Sequence, residues 1–211
     1  MTDENTVDTE EEALNFINQH GFVTLFPLRR IVFQNLYQVA VGKNREEKFD
    51  KAWKWADNLA MKKRIHYGKF LHKQVTLISL DMLPYFYKLH KRKEFTIVPR
   101  RILEYLRKHG ATSTTNLRKE LDLSGRENKS KFAGAMDELQ LGFAIAIVDR
   151  GPPPKMTYTW NLLERWMPDD VLKKAQALNE SVCRERIVAK LLKNKSISKR
   201  EDAEKFFGKG R

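Results

Sequence analysis

The stretch from Pro99 to Trp160 constrains the fold more than any other, because its punctuation leaves room for one order of elements. Pro99 opens a helix that places Ile102, Leu103 and Leu106 on one face, and His109-Gly110 closes it. Thr112 to Thr114 offer caps to a short helix holding Leu117 and Leu121. Leu123-Ser124-Gly125 reads as a turn. A longer helix over 126–140 then turns Phe132, Ala135, Met136 and Leu139 inward. Phe143 to Val148 is an apolar strand, Asp149 to Pro154 a proline-rich turn, and Met156 to Trp160 a second strand.

Helix, short helix, turn, longer helix and hairpin is the order of a winged helix. The expected fold is therefore mainly α with short β-hairpin wings, built from winged-helix (helix-turn-helix) units. In such a unit the third helix enters the major groove and the hairpin lies along the backbone. Arg126, Asn128, Lys129, Ser130 and Lys131 begin that helix on its non-apolar side, and Arg150 and Lys155 flank the wing tip. These are the expected nucleic-acid contacts. Phosphate contacts fix position, and base contacts from the helix start carry selectivity.

Charge supports an anionic partner. The formal net charge is +13, and eleven bases against two acids fall between Lys62 and Arg101, Lys69 and Lys73 among them. Each phosphate neutralised by such a base releases condensed counterions. The expected partner is double-stranded DNA, with no membrane partner, since no apolar run approaches the ~20 residues of a spanning helix. The expected location is cytoplasmic and nucleoid-associated. Six acids in the first twelve residues have the wrong sign for a presequence. The single cysteine, Cys183, on a helical pattern, reads as a buried structural thiol, and the five histidines lack zinc-ligand spacing. No metal and no cofactor is implied, and no phosphate-cradling or nucleophile-elbow motif occurs.

Elsewhere the pattern predicts helices over 10–19, 33–41, 46–61 and 80–89, with an extended segment at 22–28. Phe49, Trp53 and Trp55 suggest a buried aromatic face on the third of these helices. The stretch 67–73 reads as helix or turn before a short strand at 75–78, and no internal repeat stands out. Helices follow at 169–178 and 182–192, and Ser198 to Glu201 forms a capping box for a last helix ending at Phe207. The expected organisation is an acidic disordered tail over 1–9, an N-terminal winged-helix-like domain over 10–93, the central winged helix over 94–166, and a truncated helix-turn-helix over 167–211.

Two segments carry a family resemblance. Gly21-Phe-Val-Thr-Leu-Phe-Pro-Leu28 resembles the Gly-Phe-Val-Gln-Ile-Asp-x-Ile segment of the AlkZ-like winged-helix DNA glycosylases, and Val75 to Pro84 resembles their Ala-Ser-Leu-Leu-Pro-x-Glu-Leu-Trp-Pro segment. The likeness runs in pattern over about 10–207. It implies stacked winged helices around DNA. The family's catalytic Gln-x-Gln or Gln-x-Asp falls on Thr24 and Phe26, and His72 stands one residue out of register with the family's Tyr-Trp-x-His-Glu. Gln and Asp can position a water or stabilise a sugar cation; Phe26 can do neither, and Thr24 can only hydrogen-bond. The expectation is a DNA-binding relative without base excision. The alternatives are a glycosylase using other residues, with Asp50 or Asp81 as a base or Lys62, Lys63, Lys69 or Lys73 forming a Schiff base and Gln34 and Gln38 contacting DNA, and a transcription regulator.

Overall fold

The structure is a computed structural model and describes residues 6–28, 32–71, 73–92, 94–151, 157–194 and 201. It is mainly helical, with two small antiparallel sheets of three strands each.

The first helix, α1 (Glu10–His20), starts at a capping box. The Thr9 hydroxyl accepts from the Glu12 amide at 3.2 Å, and the Glu12 carboxylate accepts from the Thr9 amide at 3.1 Å. Three glutamates in its first turn face the positive helix end. The chain is anchored before this point: Val7 is buried and bridged to Ala40, and Asp8 pairs with Lys51. The remaining elements of this unit are β1 (Phe22–Thr24), α2 (Leu36–Val39), α3 (Arg45–Met61), β2 (Ile65–Leu71) and β3 (Gln74–Ser79). α2 is shorter than the sequence suggests. Asn35 caps it, and at its far end Ala40 leaves the helix to pair with Val7.

Residues 67–71 belong to strand β2, where helix or turn was expected. Ile65, His66, Tyr67 and Gly68 are consecutive buried residues, so this strand has no alternating pattern to betray it. Gly68 is required by close approach, because a Cβ there would stand 2.7 Å from the Phe70 ring and 3.2 Å from Gln140 Oε1.

After α4 (Leu83–His90) come α5 (Ile97–His109), β4 (Thr112–Ser113), α6 (Thr114–Glu120), a single 3-10 turn (Arg126–Asn128), α7 (Lys129–Leu141), β5 (Ile145–Arg150) and β6 (Tyr158–Leu162). The element order of the first unit thus recurs in the second: helix, strand, short helix, long helix, hairpin. The sheets agree too, β1-β3-β2 in one and β4-β6-β5 in the other, each with its first strand beside its third. Local geometry repeats as well. Both first helices end on a His-Gly pair with the glycine at positive φ, Gly21 at +78° and Gly110 at +77°. Both long helices exit through a left-handed residue, Lys63 and Phe143. The exit hydrogen bonds correspond: Lys62→Asn58, Lys63→Ala60 and Arg64→Leu59 in one unit, Gly142→Glu138, Phe143→Gln140 and Ala144→Leu139 in the other, offset by 80 positions throughout. Two units of one kind were expected from the order of elements, but the residue-by-residue match was not, because it resides in backbone geometry.

The two units pack reciprocally. β5 lies on α3, and β2 lies on α7. Each hairpin sends one cation to a carboxylate four residues before the end of the other unit's long helix: Arg150 to Asp57 and Lys69 to Asp137. Asp57 and Asp137 stand at the same 80-residue offset. Of the last helices, α8 (Leu163–Trp166) packs on β5 and β6, while α9 (Asp169–Ala177) and α10 (Glu180–Lys193) fold onto α4; Trp166, Ile187, Val188 and Leu191 close a second core around Phe22 and Phe86. Cys183 is buried and burial pushes its thiol up, which suits a structural role. Ser198 and Phe207, the ends expected of a last helix, lie outside the described residues. No described helix is long and apolar enough to cross a membrane.

Candidate nucleic-acid interface

The start of α7 is positioned from three directions. Leu117, Leu121 and Leu123 enter the core beneath it. Trp160 on β6 donates its indole N–H to Thr114 Oγ1 at 2.9 Å, fixing the start of α6, and Arg101 on α5 donates to the Leu121 carbonyl at 3.1 Å, fixing its end. Arg118 donates to the carbonyls of Leu123, Ser124 and Gly125 at 3.0 to 3.2 Å, and its guanidinium lies 5.8 Å from the Phe132 ring. The turn that aims α7 is thus held by a planar fork suited to several carbonyls at once. Sequence reasoning missed Arg118, and nothing in its spacing marks it.

On this base Arg126, Lys129, Ser130 and Lys131 are exposed. Asn128 is half-buried and turns its amide back to the Asp122 carbonyl at 3.4 Å and to Glu127 at 3.1 Å. The surface is mixed: from α6 through Lys131 five bases face three carboxylates, Glu120, Asp122 and Glu127. Among the described residues, β2 covers only the other end of α7. There Asp137 meets Lys69 at 3.0 Å, and Gln140, buried, accepts from the Lys69 amide at 3.2 Å and donates to the Met136 carbonyl.

The remaining expected contacts are scattered. Lys69 belongs to that interunit pair, and Lys73 is exposed at the β2–β3 tip with φ +60°. Arg150 faces Asp57 and lies beside the Tyr158 ring, so its guanidinium serves the junction between units. Asp57 is only 3% exposed. It also accepts from Tyr67 Oη at 2.6 Å and Tyr158 Oη at 3.3 Å. Burial, with Tyr158 and Asp57 alongside, pushes the Tyr67 hydroxyl well above its usual range. A signal for this network was present, since Asp57 interrupts an apolar helix face between Trp53 and Ala60. Lys155 and His72 lie outside the described residues.

Thr24 is fully buried on β1, and its backbone N–H donates to the Gln34 carbonyl at 3.0 Å. Phe26 enters an aromatic cluster with Tyr37, Phe49 and Trp53. Gln38 is joined to Asn35, and Asp81 is paired with Lys174 at 3.1 Å and Arg186 at 3.7 Å. Further inside, His66 is enclosed by Phe70, Phe143 and Trp166, with ring centroids 5.0 to 5.9 Å away. Its Nε2 has no hydrogen-bond partner among the described residues, and burial pushes its pKa down to about 3.

A family model described as AlkZ related matches residues 7–208. The chain belongs to the AlkZ-related family. No curated protein and no solved structure matches it. Membership in the AlkZ-related family agrees with the resemblance read from the β1 and β3 segments, and relates this chain to proteins of the DNA glycosylase kind. Thr24 and Phe26, on which the resemblance sets the glycosylase signature, place one hydroxyl within a sheet and one ring within an aromatic cluster.

Proposed function

We propose that the protein binds duplex DNA through α6 and the first half of α7, in a winged-helix unit spanning α5 to β6, without the base excision of the glycosylases it resembles. The N-terminal unit is read as a second winged helix of the same construction. The observation that carries the reading is the division of α7: its second half is covered by β2, while its first half stays open with Arg126, Lys129, Ser130 and Lys131 exposed. A helix start presents both basic side chains and backbone amides to phosphate, and its first residues reach base edges.

The contact set is smaller than the sequence suggested. Arg150 and Lys69 are engaged between units, so Arg126, Lys129, Lys131 and Lys73 remain as the phosphate contacts, with Lys155 at the wing tip added from sequence alone. Three nearby carboxylates limit affinity for an arbitrary duplex and favour fixed docking. The absence of excision is inferred from chemistry: Phe26 has no group to orient water or stabilise a sugar cation, and the Thr24 hydroxyl is enclosed.

The test is a fluorescence titration of a labelled duplex at two salt concentrations. Arg126→Ala with Lys129→Ala weakens binding and reduces the salt slope by about 2, one for each lost phosphate contact. Unchanged affinity and slope contradict the reading. Incubation with alkylated duplex, followed by mass spectrometry, releases no free alkylpurine; release would assign the protein to the glycosylases proper.

A further inference from the structure

Four rings meet on the N-terminal unit. Phe26 follows β1, Tyr37 belongs to α2, and Phe49 and Trp53 lie one turn apart on α3. Phe26 and Phe49 are stacked, with centroids 5.1 Å apart and planes within 18° of each other. Trp53 meets them edge-on at 5.8 and 6.3 Å, and Tyr37 lies 5.7 Å from Phe26. A buried aromatic face was expected here. Instead Phe49 is 45% exposed, and Phe26, Tyr37 and Trp53 are half-buried against the core below. The cluster is therefore a stack with its outermost ring in solvent.

Its surroundings are mixed in charge with a small basic excess, five bases against three acids over 43–54. Arg45, Phe49 and Trp53 follow one another at four-residue spacing, so they share one face of α3. Lys43, Arg45 and Lys54 are exposed around them. Of the acids on this stretch, Glu47 is occupied, since its carboxylate accepts from the Lys43 amide at 2.8 Å and pairs with Lys51 at 3.4 Å, while Glu46 and Asp50 are exposed beside Phe49. The duplication adds a second argument. At the 80-residue offset the counterpart of Phe49 is Lys129, an exposed residue in the first turn of α7. The same place on the two long helices presents a ring in one unit and an ammonium group in the other.

We propose that this aromatic stack receives an unpaired nucleobase of DNA, an inference that rests on the duplex-binding reading above and extends it to the substrate's structure. Every base has a flat face that can continue a stack, and such stacking tolerates any base identity. Arg45, on the same helix face, is placed for the phosphate of that nucleotide. The formal net charge of +13 favours a nucleic-acid occupant over an apolar segment of another protein. A base that is mismatched or bulged costs least to expose, so the preferred substrate is a duplex containing one.

The full chain is titrated by fluorescence anisotropy against three labelled probes: a perfect duplex, the same duplex with a one-base bulge, and the single strand. Phe49→Ala weakens binding to the bulged duplex and the single strand about tenfold and leaves the perfect duplex unchanged. Phe49→Trp, which keeps a ring, restores both. Arg126→Ala with Lys129→Ala weakens all three. If Phe49→Ala leaves the bulged and single-stranded affinities at native values, or lowers all three equally, the stacking proposal is overturned. The duplex reading then stands on the double variant alone. If the native chain binds none of the probes, both fall.

Discussion

The two units share a backbone plan but differ in how their long helices are used. In α7 the covered end is held by a half-exposed pair, Lys69 with Asp137, whose side chains are 44% and 26% exposed. In α3 the equivalent end holds Asp57, 3% exposed, with Arg150 and two tyrosine hydroxyls around it. The open ends differ as well: polar and basic on α7, aromatic on α3. One plan thus carries a structural junction mainly in one copy and a candidate ligand surface in both. The difference between a buried and a solvated version of the same ion pair is the most accessible way to test this.

At neutral pH the largest effect is expected at Arg150. Arg150→Ala leaves the buried Asp57 carboxylate with only hydroxyl donors, and urea unfolding should show a loss of about 3 kcal/mol. A loss within experimental error would mean that the two units do not depend on this junction.

Next come the two helix-ending glycines. Both adopt a positive φ that L residues rarely take, so Gly110→Ala costs about 1–3 kcal/mol. Gly21→Ala costs more, because its Cβ would also stand 2.7 Å from Lys190 Cε and 2.8 Å from Met82 Cγ, whereas nothing lies within 4 Å of a Cβ at Gly110. Equal costs would show that the C-terminal helices do not press on the first unit as described.

His66 makes stability depend on pH. Its folded pKa, about 3, lies below the unfolded value of about 6.5. The unfolded chain therefore takes up the proton first, and the stability from keeping His66 neutral is present above about pH 6.5 and lost as pH falls toward 3. Across that window the loss approaches ~1.4 kcal/mol per pH unit, and His66→Phe removes this contribution to the slope. An unchanged slope in the variant would place the titrating group elsewhere. The smallest effect is at Lys69: exposed pairs contribute little, so Lys69→Ala costs at most about 1 kcal/mol. A cost equal to that of Arg150→Ala would erase the distinction between the two junctions.

Where the sequence was legible, a local signal stood behind each element. Pro99, His109-Gly110 and the inward set Phe132, Ala135, Met136 and Leu139 locate α5 and α7, although α5 opens earlier, at Ile97, and residues 126–128 form a 3-10 turn before α7 begins. Strand β2 escaped because a strand buried on both faces lacks alternation, and α2 was overextended because Ala40 is recruited by a distant partner, Val7. The exposed start of α7 was readable from its non-apolar flank. The commitment of Arg150 and Lys69 to the other unit was not, because tertiary pairing across the duplication has no local trace. Phe49 illustrates the same limit: its helical spacing is that of a core residue, and only packing shows that its ring reaches solvent.

The central claim, that the free first half of α7 is the DNA-facing surface, is tested most directly by hydrogen exchange of the full chain with and without a short duplex at low salt. The account predicts slowed exchange concentrated on α6, the 126–128 turn and the first half of α7, with the β2–α7 contact unchanged. Protection confined to α9 and α10, or none at all at saturating duplex, would contradict it.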